Sequence, residues 1–168
     1  MDDLRGRFLG AMSCTASTVN VVTTDGAGGR AGVTVSAMSS VSADGERPIL
    51  LVCVHHLSPA ASAIARNRVF CVNVLRDDQW AISDSFAGRG LPPGADKFAC
   101  TEWETAPTGS PRVADPLVAF DCRILSHQRI GTHVVFYGEV EEIFQAEAGT
   151  PLIYTQRAYG TPRRLEAA

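Results

Sequence analysis

The sequence predicts a mainly β fold whose strands run in antiparallel order and close, wholly or partly, into a barrel. Two observations lead there. Six or seven segments rich in β-branched and aromatic residues follow one another along the chain, and the helical segments between them are few and short. A parallel sheet would instead require a helix after nearly every strand.

The elements can be justified in order. Leu4, Phe8 and Met12 recur at helical spacing, so residues 1–12 are expected to form a short amphipathic helix lying against the domain. Thr18 to Thr24 is a β-branched run, the D-G-A-G-G that follows tolerates the positive φ of a hairpin turn, and a strand returns from Ala31 to about Ala37. Further strands are expected over Pro48–His55, Val69–Leu75, Leu117–Leu125 and His133–Phe144, with a short last one at Pro151–Gln156. Ser58 followed by Pro59 is an N-cap with proline in the first turn, which starts a helix ending near Asn67. Asp77 to Phe86 opens on acidic residues and also reads as a short helix. Gly88 to Ala95 is too rich in Gly and Pro for regular structure and is expected to be a surface loop. Residues 161–168 are expected to be a loose tail, and residues 1–168 one domain.

Composition narrows the function classes. Apolar residues make up 45% and charged residues 20% of the 168, with a formal net charge of -3, so the chain lacks the concentrated basic face of a nucleic-acid binder. The longest apolar run, Ile49 to Val54, is six residues, against the roughly 20 needed to cross a bilayer. No signal-peptide pattern opens the chain. The five cysteines contain no C-x-x-C pair and read as buried thiols in a reducing compartment, which places the protein in the cytoplasm.

Four groups of residues invite a chemical reading. Gly32 to Ser42 (G-V-T-V-S-A-M-S-S-V-S) sets five hydroxyls on a strand and the turn leaving it, either a polar strand end or a cradle for a planar polar ligand. Ser58 heads a helix whose free amides and positive dipole end suit a phosphate, with Arg89 and Lys97 near the Gly/Pro loop as counter-charges; a plain cap and solvated cations read equally well. His55 and His56 point to opposite faces if the strand runs through both, and no zinc spacing is present, so no metal is expected. No nucleophile elbow occurs, and strand cysteines are poor nucleophiles. His133, after Gly131 and Thr132, is the most informative imidazole.

Six blocks in this order carry a resemblance: G-V-T-V-S-A-M-S-S-V-S; P-I-L-L-V-C-V with the S-P helix start; F-C-V-N-V-L; F-A-G with D-K-F; G-T-H-V-V-F-Y-G-E-V; and P-L-I-Y-T-Q-R-A-Y-G. Over about residues 8–160 the chain resembles the short-chain flavin reductases, in particular the reductase components of two-component aromatic monooxygenases. The resemblance implies an FMN-binding split β-barrel of antiparallel Greek-key type and a homodimer. It also implies hydride transfer from NADH or NADPH to FMN or FAD, and delivery of the reduced flavin to a separate oxygenase. By position it sets the isoalloxazine against Thr34, Val35, Ser36, Ala37 and Met38, with Ser40 and Val41 on the exit turn and Cys53, Val54 and His55 alongside. Ser58 falls near the flavin phosphate, Phe86, Ala87, Gly88, Arg89 and Lys97 around the ribityl and phosphate or adenosine portion, His133 near the nicotinamide, and Tyr159 over the site from the tail. Two departures stand out: Thr132 replaces the aspartate of the family's G-D-H, and A-D-G-E-R-P lengthens the loop before Pro48. A flavin-binding module without turnover, and a reductase that retains its flavin for another acceptor, are the rival readings.

Overall fold

In the computed structural model, which describes residues 3–165, the β-branched runs build a seven-stranded antiparallel sheet. Its strands are β2 (Asn20–Thr24), β3 (Ala31–Val35), β4 (Met38–Ser42), β5 (Ile49–His55), β6 (Val69–Val74), β9 (Val118–Ile130) and β10 (His133–Gln145), in the spatial order β3-β2-β6-β9-β10-β5-β4. The two edges of the sheet, β3 and β4, are consecutive in the chain and joined only by Ser36 and Ala37. The sheet therefore curls round on itself and stays open along that seam, which makes it a split barrel. Two small sheets complete the fold: β1 (Ser17–Thr18), β11 (Ile153–Thr155) and β12 (Ala158–Gly160) form one, and β7 (Trp103–Thr105) with β8 (Pro111–Val113) the other.

Strand β2 explains why the sheet is central. All five of its residues are buried, because alternation sends Val22 into one core, with Val52, Phe70 and Phe136, and Val21 into a second, with Leu75, Phe86 and Phe98. The first core fills the barrel. The second lies between the sheet and α3 (Trp80–Phe86), the 3-10 turn Lys97–Cys100 and the C-terminal hairpin. Helix α2 (Pro59–Asn67) starts as expected, Ser58 Oγ accepting from the Ala60 amide, and buries Ala60, Ala61, Ala63 and Ile64.

Several expectations need correction. Helix α1 (Leu4–Ser13) forms, but it buries no residue: Leu4, Phe8 and Met12 are 74, 60 and 48% exposed, so it does not lie against the body through that stripe. The strand begun at Ala31 ends at Val35, and Met38–Ser42, expected as a turn, is the separate edge strand β4. Asp77–Phe86 is a 3-10 turn, Asp77–Gln79, followed by α3. Strand β9 runs on to Ile130, because its polar S-H-Q-R segment continues to pair with β10. Only Cys71 and Cys122 are fully buried; Cys53 is half-buried and Cys14 and Cys100 are exposed. Residues 161–165 are exposed and irregular, as expected of a tail, while 1–2 and 166–168 lie outside the described residues. Among the described residues no helix is long and apolar enough to cross a membrane.

Candidate active site

The seam between β3 and β4 leaves hydrogen-bonding groups free. Ala37 O accepts from the Cys53 amide at 3.1 Å and Ser36 O from the Met38 amide at 3.1 Å. Among the described residues the amides of Ser36 and Ala37 have no hydrogen-bond partner. Strand β4 pairs only with β5, and a register shift between Ser40 and Ser42 leaves Val41 unpaired and 48% exposed. Ser36, Ala37, Ser39 and Ser40 are all exposed along this edge. Backbone donors beside small side chains and hydroxyls, on an edge with no further strand, can receive a planar ligand with polar rims.

One end of the seam carries imidazoles. His55 closes β5 and pairs in register with His133, the first residue of β10; their rings stand edge to face at 5.1 Å. His56 does not point to the opposite face, because β5 ends at His55 and the turn stacks the two rings at 5.1 Å and 17°. His55 Nδ1 accepts from the Leu57 amide at 3.2 Å, and Thr132 Oγ1 lies 3.1 Å from His133 Nδ1. Thr132 thus gives His133 a neutral hydrogen-bonding neighbour. Desolvation, and then the Arg129 guanidinium and the two other imidazoles, hold His56 below the ordinary imidazole value. Among the described residues no group of His, Cys, Asp or Glu is placed to hold a metal ion.

Most of the other positions singled out in the sequence line two cavities. Thr34, Val35, Ser36, Ala87, Arg89 and Tyr159 line a cavity of about 190 Å³, joined there by Val19, Ser83 and Tyr154. Tyr159 donates to Asp84 Oδ1 at 2.7 Å and lies 2.9 Å from Ser83 Oγ, so β12 is tied to α3. Hydrogen bonding to Tyr154 is the main reason the Arg89 guanidinium is held above its ordinary value. Ser58 and Lys97 line a second cavity of about 280 Å³ with Arg30, Gly32 and Asp96. There Lys97 Nζ donates to Phe86 O at 3.3 Å and Arg30 sits 4.0 Å over the Phe98 ring. Arg30 and Tyr154 carried no sequence signal: one follows a glycine-rich turn, the other sits in a three-residue strand.

Two positions need correction. The side chain of Phe86 is 1% exposed and packs in the core against Phe98 and Trp103, so only its backbone is available beside a ligand. Val54 is fully buried in the barrel, leaving only its backbone at the seam. Met38 opens the edge strand β4, Cys53 and His55 follow on the neighbouring β5 and His133 on β10 beyond it, while Gly88 supplies a turn at φ 74°. Burial pushes the Cys53 thiol up, which keeps it protonated and unreactive.

Residues 12–163 match the flavin reductase like domain family. The chain belongs to that family. It is 42% identical over 151 residues to a protein of Methylorubrum extorquens named FMN reductase (NADH) RutF, covering 90% of this chain and 72% of that one. A Bradyrhizobium diazoefficiens protein of the same name is 44% identical, with 90 and 82% covered. Among solved flavin reductases, PheA2 superposes with a TM-score of 0.84 at 30% identity, covering 98% of this chain and all of that one. BorF, the flavin reductase component of a bacterial two-component tryptophan halogenase, gives 0.83 at 26%, with 95 and 99% covered. The split barrel is therefore the fold of a flavin reductase family member.

Proposed function

We propose that this protein is an NADH:flavin oxidoreductase that reduces FMN or FAD and passes the reduced flavin to a partner flavin-dependent monooxygenase. The observation that carries the reading is the open seam: two unpartnered amides and exposed serines stand where β3 leads into the edge strand β4, and the neighbouring β5 brings His55 into register with His133. That donor set suits an isoalloxazine, whose pyrimidine rim is rich in acceptors. The names of the relatives support NADH as donor and FMN as acceptor. PheA2 and BorF support a two-component arrangement.

A bound flavin supplies the redox chemistry, accepting hydride at N5 from nicotinamide C4. The chain's own residues bind, orient and exclude water. The Ser36 and Ala37 amides donate to the polar rim and favour the negative charge that reduction brings. Thr34, Val35, Met38, Ser40, Val41, Cys53 and the backbone of Val54 hold the ring at the seam. His133 and His55 position the nicotinamide, and neither is required to transfer a proton. Ser58, with the α2 amides and Lys97, holds the flavin phosphate, flanked by the backbone from Phe86 to Gly88. Arg89 and Tyr159 close the other side.

The site is finished by a second copy of the chain. Leu57 (74% exposed), Ile130 (58%) and Val41 (48%) are apolar side chains left open to solvent, and a homodimer would cover such residues. We place the protein in the cytoplasm, consistent with five cysteines all free, and read residues 1–168 as one domain.

NADH and NADPH oxidation by the purified protein, with and without FMN, FAD and riboflavin, tests the function. Activity that needs added flavin and saturates in it is expected. Flavin binding without turnover would instead identify a storage module, and activity without added flavin a reductase that retains its own.

A further inference from the structure

Strand β9 outruns one of its neighbours. It pairs with β6 only as far as Arg123, so from Leu125 to Ile130 it has β10 on one side and no strand on the other. Every side chain of that stretch is exposed. The segment carrying α2 is tied to both of its ends, the Ile124 amide donating to Arg68 O at 2.9 Å and the His56 amide to Thr132 O at 3.0 Å. Between α2 and the end of β9 lies a cavity of about 460 Å³, lined by none of the side chains assigned above to flavin or nicotinamide.

Register decides what faces this cavity. His127 stands opposite Phe136 and Arg129 opposite Val134, and opposite residues share a face of the sheet. The His127 ring lies over that of Phe136, with centroids 5.5 Å apart and planes 28° from parallel. Phe136 is fully buried, so one face of the imidazole covers the barrel core and the other stays open. Ala61, Ala65 and Val134 add small apolar surfaces.

Arg129 is held in place without a counter-ion. Its Nε donates to Gly131 O at 3.1 Å, and its Nη2 lies 3.3 Å from His56 Nε2. A guanidinium only donates, so His56 accepts through an unprotonated nitrogen, and the remaining N–H groups of Arg129 have no acceptor among the described residues. No carboxylate lines the cavity or pairs with Arg129, whereas Arg47, Arg76, Arg89, Arg112 and Arg123 each have one. A planar fork fixed at one end and free at the other is organised in advance for an oxyanion.

We propose that this groove binds a small aromatic carboxylate, with the carboxylate on Arg129 and the ring on the open face of His127. Alternate residues of a strand stand about 6.5–7 Å apart on one face, a span that a ring joined to a carboxylate bridges. The cavity falls within the ~300–1,000 Å³ of small-molecule sites. The imidazole platform and the aliphatic side chains favour a flat apolar body, and the unpaired guanidinium favours an anion.

Benzoate is the probe, followed in an amide-resolved NMR titration of the purified protein. It is expected to bind and to shift the signals of Ala61, Ala65, His127 and Arg129. Benzamide has the shape without the charge and is expected to bind about tenfold more weakly. Cyclohexanecarboxylate and inorganic phosphate have the charge without the flat ring, and both are expected to bind several-fold more weakly. Arg129→Gln should lower benzoate affinity about tenfold and leave the melting temperature unchanged, because the side chain is exposed. Saturating NAD+ and FMN should leave benzoate affinity within about twofold, since the groove shares no residue with their proposed sites. No benzoate binding at millimolar concentration, phosphate or benzamide binding as well as benzoate, or undiminished affinity in Arg129→Gln overturns the proposal. Displacement of benzoate by NAD+ or FMN also overturns it, by giving the groove to a cofactor. None of these outcomes bears on whether the protein reduces flavin.

Discussion

The Phe86 ring lies so close over Gly32 that a Cβ at position 32 would stand 2.5 Å from its Cε1. The contact explains a glycine in the middle of a strand, where Gly32 also lines the cavity at Ser58. A methyl group at 32 must push the ring, and with it α3, outward. Gly32→Ala is therefore expected to lower stability by about 1–3 kcal/mol, the usual cost of overpacking, and to weaken flavin binding. Urea denaturation with an unchanged midpoint would show that α3 yields freely.

His133 pairs in register with His55 and sets its ring edge-on to that imidazole. For His133→Ala we expect KM for NADH to rise several-fold while the flavin dissociation constant stays nearly constant. Steady-state kinetics and flavin fluorescence separate the two. An unchanged KM removes His133 from the nicotinamide site.

Ser58 caps α2 through its hydroxyl, and aspartate caps a helix equally well. Ser58→Asp should keep the melting temperature but set a negative charge beside the flavin phosphate. FMN affinity is expected to drop at least tenfold, as like charges at close range repel, and riboflavin affinity to stay the same. Equal loss for both flavins would place the phosphate elsewhere.

Asp121 is fully buried, and burial pushes its carboxyl above the ordinary value despite hydrogen bonds from the Thr108 amide and hydroxyl. The folded state thus holds this proton more tightly than the unfolded chain. Its stabilising contribution is complete below the unfolded value of about 3.9 and is lost as pH rises through the raised folded value. Asp121→Asn should flatten this part of the stability profile above about pH 4, as measured by urea midpoints. A parallel profile in the variant would assign that pH dependence to other groups.

Much of this was legible in the residues, for local reasons. Ser58-Pro59 starts a helix wherever it is placed, because the cap satisfies an amide within two residues. The β-branched run from Thr18 to Thr24 announces a strand, and the structure buries Val21 and Val22 in different cores. The ordered blocks from Gly32 to Gly160 pointed to the family that the match over residues 12–163 shows. The β4 edge was less visible, because M-S-S-V-S has turn composition and becomes a strand only by pairing with β5. The exposed stripe of α1 also misled, since helical spacing says which residues share a face but not whether anything packs on it.

The sequence by itself determined the long strands, the α2 cap and the family, all of which depend on contacts within a few residues or on the order of whole blocks. Only the tertiary structure decided that β3 and β4 are opposite edges of one sheet joined by two residues. It also decided that the Phe86 ring is buried in the core, and that Arg89, Tyr154 and Tyr159 border one cavity. Those facts depend on how the sheet closes and on which distant segments then meet, and burial and unpaired edges exist only once it has closed.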